Sequence, residues 1–501
     1  MAGYTPKTFG AALSSLLNKY SMSAATVSRM LGHKSRTTLR RILTDQSNAD
    51  SMEKFLQDFL KIPLLPLTDD EIAELRLSLD YSRMGPVGFR AQDEMRRLMN
   101  APSRSGMDEI SLRCIQTGEV FPLSSFLHEL SRTAKVRMLI INCGTSALFD
   151  ALSGFLTGTF HPDFAIDHYF FLNDNIARTA QFMADIYPML CIHRYTAYAV
   201  PSPSPDRPPF YAMTASVIAC RAERPDGSIY EYQIGFDSPL HAQLLCFIAP
   251  GVFEYWQSLI APSVPVRISV KTSSLTSGTT LREYAALHSS YRELENNHDI
   301  YMLKPGLHPA LIPPELLEEP FLDALRKSIF GSDPDFDALA CQLYEIHVQR
   351  FRNIFTKKRV THILIPPDSM QRFLKDGLLP DLGAAIRPLT VWERRTILTH
   401  CRDQARDNPY FNIYFLKGEM ADIRLEATCY EQTGVLFHSC SRTDYFGGGH
   451  TDALVALDDF TALFSRFFRE TLLPNHALSA GQSVAVLSSM LDALPSEEAA
   501  L

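Results

Sequence analysis

The hydrophobic period of this 501-residue chain changes near residue 136, and that change constrains the fold more than any other feature. Before it, apolar residues recur at the three- and four-residue spacing of amphipathic helices. After it, short apolar runs typical of buried strands alternate with helical segments, beginning with VRMLIIN at 136–142. A chain of this length exceeds one hydrophobic core. We therefore predict a multidomain α/β protein with an all-α N-terminal domain.

Charge divides the chain in a second way. The first acidic residue is Asp45, and seven Lys or Arg residues precede it. The remainder holds 41 basic and 56 acidic residues, a net charge of −15. A basic segment on an acidic body indicates a segment that binds a polyanion.

Apolar run length and cysteine spacing indicate the cellular compartment. No apolar run is long enough to span a bilayer, and the first ten residues lack the apolar segment of a signal peptide. The nine Cys residues form no CxxC pair, so we expect reduced thiols in the cytoplasm and no zinc site.

The first 61 residues predict four helices. Ser23 and Ser35 are placed to cap the second and third, and Gly32 stands between them, where a helix end favours a positive φ. Asp50 with Glu53 resembles a capping box that opens the fourth. The residues expected to face inward are Phe9, Leu13, Leu16, Leu17, Tyr20, Val27, Met30, Leu31, Thr38, Leu39, Ile42, Leu43, Met52, Phe55, Leu56, Phe59 and Leu60.

The third helix carries a polar face opposite its apolar one. Arginine can bond guanine through two donors, threonine offers a hydroxyl and a methyl group, and lysine contacts phosphate. This face and the turn before it therefore provide the candidate DNA-binding residues, which are Lys34, Ser35, Arg36, Thr37, Arg40 and Arg41, with Thr44 at the end of the same stripe. The alternatives are a structural module with a solvated basic face and a module that docks on an acidic protein.

The segment TVSRMLGHKSRTTLRRIL, residues 26–43, resembles the lambda-repressor-like (XRE family) helix-turn-helix. The turn His33-Lys34-Ser35 is one residue longer than the common pattern, and Ser28 stands where the family usually has Ala. The predicted N-terminal domain that contains it, residues 1–61, makes up about an eighth of the chain. It implies a DNA-binding domain, binding to double-stranded DNA as a homodimer, and a role in transcription regulation.

The remainder is divided by composition and pattern. We predict a helix-turn-helix domain at 1–61, a helical linker or dimerisation segment at 62–135, a first α/β unit at 136–279, a helical connecting region at 280–385, and a second α/β unit with a C-terminal helix at 386–501. Within the linker, Gly85-Pro86 should separate a helix at 70–83 from one at 90–99.

The two α/β units resemble one another. Residues 241–260 align with 450–469, so that a His, an apolar strand and an aromatic helix follow a hairpin in each. This pattern predicts a diverged duplication, with coincidence between two amphipathic stretches as the alternative. Paired units of this kind resemble the phospholipase D-like fold, but no His is followed two residues later by Lys. The HxK signature of that family is therefore missing, and a non-catalytic body is expected.

The body holds few candidates for chemistry. Cys143-Gly144-Thr145-Ser146 could hold an anion at a helix start, although an ordinary strand-to-helix turn explains it as well. The glycine-rich loop Tyr445–His450 could approach a ligand or simply end a hairpin. His168 with Asp174, or His450 with Asp452, could pair as base and orienting acid, and a structural role is the alternative. The stripe Phe460, Phe464, Phe467 and Phe468 predicts core or interface.

These observations favour a cytoplasmic, dimeric DNA-binding regulator whose body senses a small-molecule effector or holds a partner. No catalytic residue, metal or cofactor is expected, and the ligand-binding residues are unknown. The alternatives are a DNA-targeted enzyme, such as a hydrolase or nuclease, and a scaffold protein with a basic docking domain. A tight cluster of His, Asp and Glu would favour the enzyme.

Overall fold

The computed structural model describes most of the chain and divides it into two compact units. One comprises Met1–Glu94 with Asn175–Ala177, and the other Met95–Asp174 with Arg178–Leu501. The described residues are 6–32, 36–62, 67–99, 109–133, 135–158, 163–171, 176–192, 194–200, 216–238, 240–247, 251–261, 266–271, 281–327, 334–378, 387–417, 425–438 and 452–495.

The N-terminal unit is helical, as predicted. Its helices are α1 Phe9–Lys19, α2 Ala24–Met30, α3 Arg36–Leu43, α4 Ala49–Phe59 and the first part of α5 Asp69–Met99. Most of the predicted inward residues form its core, including Phe9, Leu13, Val27, Ile42 and Phe59. Three expectations were wrong. Thr38, expected to face inward, is exposed. Met30 is 43% exposed, and α4 is capped by Asn48, whose side chain accepts the Ser51 N–H.

Helix α5 is interrupted where the sequence predicted. Gly85 has φ 69° and ψ 174°, a conformation outside the helix that glycine adopts readily. The first part of α5 contributes Leu75 and Leu79 to the N-terminal core. That part therefore belongs to the N-terminal unit, whereas the sequence placed it in a separate linker at 62–135. The same predicted linker also contains two strands, described next, for which no signal was recognised.

The first sheet has nine strands in the order β2-β1-β8-β7-β6-β3-β4-β5-β9. Strands β3, β4 and β5 run parallel, whereas β6, β7 and β8 form an antiparallel meander next to β3. Its strands are β1 Ser111–Cys114, β2 Val120–Pro122, β3 Lys135–Ile141, β4 Phe164–Phe171, β5 Tyr195–Val200, β6 Val217–Glu223, β7 Ile229–Ser238, β8 His241–Phe247 and β9 Val266–Arg267. The accompanying helices are α6 Leu123–Thr133, α7 Ser146–Gly158, α8 Ile176–Leu190 and α9 Val252–Ile260.

The second sheet has seven strands in the order β10-β16-β15-β14-β11-β12-β13. Its strands are β10 Ser269–Lys271, β11 Ile300–Leu303, β12 Thr361–Ile365, β13 Phe411–Phe415, β14 Ala427–Tyr430, β15 Gly434–Phe437 and β16 Ala453–Val455. The helices around it are α10 Leu281–Asn297, α11 Pro314–Lys327, α12 Phe336–Thr356, α13 Pro367–Asp376, α14 Val391–Asp407, α15 Asp458–Phe467 and α16 Ala480–Ala493, with a 3-10 turn at Pro309–Leu311 and a π-helical segment at Phe468–His476.

The two sheets share one topology. In the second, β11, β12 and β13 run parallel, and β14, β15 and β16 form an antiparallel meander next to β11. The order β8-β7-β6-β3-β4-β5 thus matches β16-β15-β14-β11-β12-β13 strand for strand. The strands and helices aligned in the sequence, β8 with α9 and β16 with α15, occupy equivalent places.

The sheets meet through nonequivalent edges. β9 pairs with β5, and β10 pairs with β16, so that the chain passes from one sheet to the other at Ile268. The Ile268 N–H donates to the Ala197 carbonyl at 2.9 Å, and its carbonyl accepts from Ala456 at 3.4 Å. The parallel side of the first sheet therefore faces the antiparallel side of the second, a head-to-tail arrangement.

One sequence expectation for the body was wrong. The region 280–385 was predicted to be a helical connection, yet it contains β11 and β12, the two central strands of the second sheet. Both are short and lie between long helices. The second sheet therefore begins well before residue 386.

Candidate nucleic-acid interface

Helices α2 and α3 follow one another along the chain and pack together. The Ser23 side chain caps α2 by accepting the Thr26 N–H, and α2 ends at Met30. Gly32 follows with φ 65°, the left-handed conformation that glycine tolerates best. Helix α3 then packs against both α1 and α2. His33, Lys34 and Ser35, including the predicted cap of α3, lie outside the described residues.

Helix α3 is fixed from behind by apolar contacts and by α1. Leu39 and Ile42 are each 1% exposed in the N-terminal core. At Gly10, a Cβ atom would lie 2.6 Å from the Leu43 carbonyl oxygen, so glycine is what permits α1 to approach the end of α3 this closely. Asp45, just after α3, accepts the Gly10 N–H at 2.8 Å. These contacts fix where α3 lies in its unit.

The opposite face of α3 is exposed. Thr37, Arg40, Arg41 and Thr44 lie at the spacing of one helix face, and the side chains of all four are exposed. The Arg41 guanidinium donates a long bond of 3.5 Å to the Gln46 carbonyl. Within the described part of the N-terminal unit, neither Arg40 nor Arg41 forms an ion pair. Arg36 is the first residue of α3, and its side chain is not among those described.

Two other early cations lie close to acidic residues of their own unit. Lys19 lies 2.6 Å from Glu71, and Lys7 lies 4.0 Å from Glu74. Hydrogen bonds from Lys19 and from the Thr68 N–H lower the pKa of Glu71 to about 2, and Tyr20 also donates to this carboxylate. Arg40 and Arg41 of α3, by contrast, form no ion pair with a described residue of this unit.

Neither His–Asp pair suggested by the sequence is present among the described residues, because Asp174 and His450 lie outside them. The His168 ring is completely buried, with one nitrogen 2.9 Å from the Cys143 carbonyl and the other 3.1 Å from the Tyr195 hydroxyl. Burial lowers the pKa of His168 to about 3. His168 is therefore a neutral core residue, held at both nitrogens.

The other suggested features of the body are accounted for in different ways. The Thr145 hydroxyl accepts the Leu148 N–H and so caps α7, which favours the ordinary turn over an anion site at Cys143–Ser146. The loop Tyr445–His450 lies outside the described residues. The aromatic stripe Phe460, Phe464, Phe467 and Phe468, predicted as core or interface, runs from α15 into the π-helical segment, and all four side chains are buried.

The second sheet contains a feature that sequence reasoning missed. Leu303, Ala427, Phe437 and Ala453 lie side by side across four strands. The residue just beyond each is ionisable, and these four residues, Lys304, Glu426, His438 and Asp452, form what we call the ionic row. Lys304 Nζ lies 3.0 Å from Glu426, with both side chains almost fully buried, and His438 Nδ1 lies 3.3 Å from Asp452.

Asp452 is stabilised as a carboxylate inside this row. Burial alone would raise its pKa, but the charge and hydrogen bond of His438, the Tyr291 hydroxyl and Lys304 together lower the pKa of Asp452 to about 2. When the sheets are aligned by their terminal pairs, the equivalent positions of the first sheet are Asn142, Ser216, Phe236 and Ala242. The shared topology therefore does not require the charges.

Comparisons with known proteins give no family for the chain. No protein-family model matches it, and no curated protein matches it either. Across the described residues, no three His, Cys, Asp or Glu side chains are arranged to hold a metal ion. In the same residues, no helix has the length and apolar character needed to cross a bilayer.

Proposed function

We propose that the chain is a sequence-specific DNA-binding regulator of transcription in which α3 lies in the major groove. The observation that carries this proposal is the exposed face of α3, where Arg40 and Arg41 have no acidic partner among the described residues of their unit. The packing of Leu39 and Ile42 directs this face outward. Arginine and threonine on the second helix of such a motif suit contacts to bases and phosphates.

The proposal extends to the whole molecule. Regulators with this motif bind two half-sites as homodimers, and we infer the same here. The body would sense a small-molecule effector or hold a partner, and so shift the spacing of the two α3 helices. The matching topology of the two sheets supports a diverged duplication as its origin. A phospholipase D-like ancestry stays an architectural hypothesis, because the HxK signature is missing.

The decisive experiment reverses the charge of the α3 face. In the double variant Arg40→Glu and Arg41→Glu, binding to duplex DNA selected from a random-sequence pool should fall below detection in a gel shift. The salt dependence of wild-type binding should be steep, because each lysine or arginine that contacts a phosphate contributes about −0.9 to the logarithmic slope.

A matched control separates a defined face from general electrostatics. Lys54 on α4 and Arg76 on α5 are also exposed in the N-terminal unit, and Lys54→Glu with Arg76→Glu changes the net charge equally. This control should retain most of the affinity and all of the sequence preference. Undiminished retention of DNA by the Arg40/Arg41 variant would refute the proposal, and equal loss in both variants would replace it with non-specific attraction.

The ionic row favours one alternative for the body, a DNA-targeted hydrolase or nuclease. It brings a His, an Asp and a Glu together at the end of the parallel strand β11, where α/β proteins place their ligands. Cleavage of bound duplex by the wild type but not by His438→Ala would establish this activity. An intact duplex would leave the sensor as the role of the body.

A further inference from the structure

A second basic surface lies in the body, far along the chain from α3. Helices α10 and α12 border a groove of about 440 Å³. The seven residues that line it are Arg292, Glu293, Asn296, Gln349, Arg352, Asn353 and Lys357, and none is apolar. Three are cationic and one is acidic, although the chain after residue 44 has a net charge of −15. The groove is therefore positively charged, whereas the chain after residue 44 is acidic as a whole.

The walls of this groove are held in place. Beneath it, the guanidinium of buried Arg350 binds the carboxylate of buried Glu295 at 2.6–3.0 Å through three contacts, which fixes α12 against α10. Nearer the opening, Arg292 donates to Gln349 at 2.9 Å, and Asn353 donates to the Arg292 carbonyl at 3.0 Å. A groove whose sides are bonded to each other is organised before any ligand arrives.

Two of the cations have no acidic partner. Among the described residues, Arg352 and Lys357 form no ion pair, whereas Arg292 lies 3.7 Å from Glu293. Lysines that follow a helix often serve its C-terminal dipole, which explains Lys357 and the adjacent Lys358 and Arg359. It does not explain Arg352, which precedes the last turn of α12.

We propose that the groove between α10 and α12 binds a nucleotide through its phosphates. The fork of a guanidinium matches phosphate oxygens, and lysine supplies a compact charge beside it. The amide side chains both donate and accept hydrogen bonds, as recognition of a base or a ribose requires. The volume is within the range of small-molecule sites, and the cationic side chains in the lining suit a charged ligand.

The test uses the full chain without DNA, so its result is independent of the function proposed for α3. Isothermal titration with ATP, GTP, pyrophosphate and adenosine should give binding of the nucleotides and of pyrophosphate, and none of adenosine. Arg352→Gln with Lys357→Gln should lower the affinity for ATP at least tenfold, because two charge-assisted contacts are lost. Both side chains lie at the surface, so the thermal transition should be unchanged.

Lys358→Gln with Arg359→Gln is the matched control, since these cations adjoin the groove without lining it. This variant should bind ATP within twofold of the wild type. An equal loss in the control would assign the binding to diffuse charge and overturn the proposal. No binding of any phosphate probe at millimolar concentration would overturn it too. Groove-dependent retention of duplex DNA by the Arg40→Glu, Arg41→Glu variant would instead make the groove a nucleic-acid contact.

Discussion

At the scale of single residues, burial keeps several histidine rings of the body in the neutral form. His168 is enclosed by Phe149 and Phe170, with Tyr195 at one nitrogen. Burial lowers the pKa values of His168 and His288 to about 3, and those of His347 and His362 to about 4. Each of these rings prefers the neutral form in the fold, whereas the unfolded chain binds a proton near pH 6.5.

This difference predicts acid lability. As the pH falls below 6.5, the unfolded chain takes up protons that the fold excludes, so each such histidine lowers the free energy of unfolding by about 1.4 kcal/mol per pH unit, until the pH reaches the pKa of the folded state. Above pH 6.5 the contribution is complete. Urea unfolding of the body between pH 7.5 and pH 4.5 should show this slope.

Substitution identifies the residue responsible. His168→Gln should reduce the pH slope by about one proton, whatever it does to the stability itself, because glutamine does not titrate. An unaltered slope in His168→Gln would contradict the assignment of His168 as a buried neutral group.

Residue-level features could be predicted from the sequence when the residues involved are close together in the chain, and not when they are far apart. The exposed Arg40 and Arg41 follow from helix periodicity within a few residues. The partner of Asp452 could not be predicted in this way. The nearest histidine in sequence is His450, but the register of β15 and β16 places His438 beside Asp452. Strand register depends on contacts between distant segments, so a local pattern cannot predict the ionic row.

At the scale of elements, the position of α3 depends on its contact with α1. The Cβ of any residue at position 10 would lie within 2.7 Å of two backbone oxygens, those of Leu43 and Ile42. Because backbone cannot move aside cheaply, Gly10→Ala should destabilise the N-terminal unit by about 1–3 kcal/mol and displace α3. DNA affinity, measured by gel shift, should fall even though no residue of the exposed face has changed.

The same substitution elsewhere provides the contrast. Gly481 lies inside α16, where an added Cβ would meet no atom within 4 Å. Gly481→Ala should therefore leave DNA binding intact and raise stability by up to about 1 kcal/mol through helix propensity. If Gly10→Ala bound DNA as the wild type does, the close approach of α1 would not determine where α3 lies.

Element prediction worked best where a pattern was long. Helices α1 to α4 each contain about two or more turns with apolar residues at helical spacing, and all four were predicted. Strands β11 and β12 have four and five residues and follow long helices, so their apolar runs IYML and THILI were taken for parts of a helical region. The corresponding β3, with seven residues, was recognised, and a search for its repeat would have been the available signal.

At the scale of the whole molecule, the head-to-tail contact leaves two unlike ends, the edge of β8 and the edge of β13. Such a contact can propagate from copy to copy unless the ends are covered. β1 and β2 extend the sheet beyond β8. At the other end, Ala477 bridges to Leu416, and Leu478 donates to the Phe415 carbonyl at 2.8 Å, which occupies the edge of β13.

Uncovering β8 should therefore cause self-association. The N–H groups of Ser111 and Ile115 donate to Leu240 and Leu244, and the alternation of a parallel ladder assigns the Arg113 N–H to the same edge. Arg113→Pro removes that donor and should loosen β1, giving species larger than the wild type in sedimentation velocity as concentration rises. Arg113→Ala retains the N–H and should match the wild type. Identical sedimentation of all three proteins would argue against β1 as a protective strand.

The backbone N–H of Ile268 donates to the first sheet, and its carbonyl accepts from the second. If either sheet unfolds, one of these two bonds is lost, and the completely buried side chain of Ile268 becomes exposed. Unfolding of one half would thus disrupt the contact of the other half at Ile268. We therefore expect the two halves to unfold in one transition and to resist release as separate fragments by a protease.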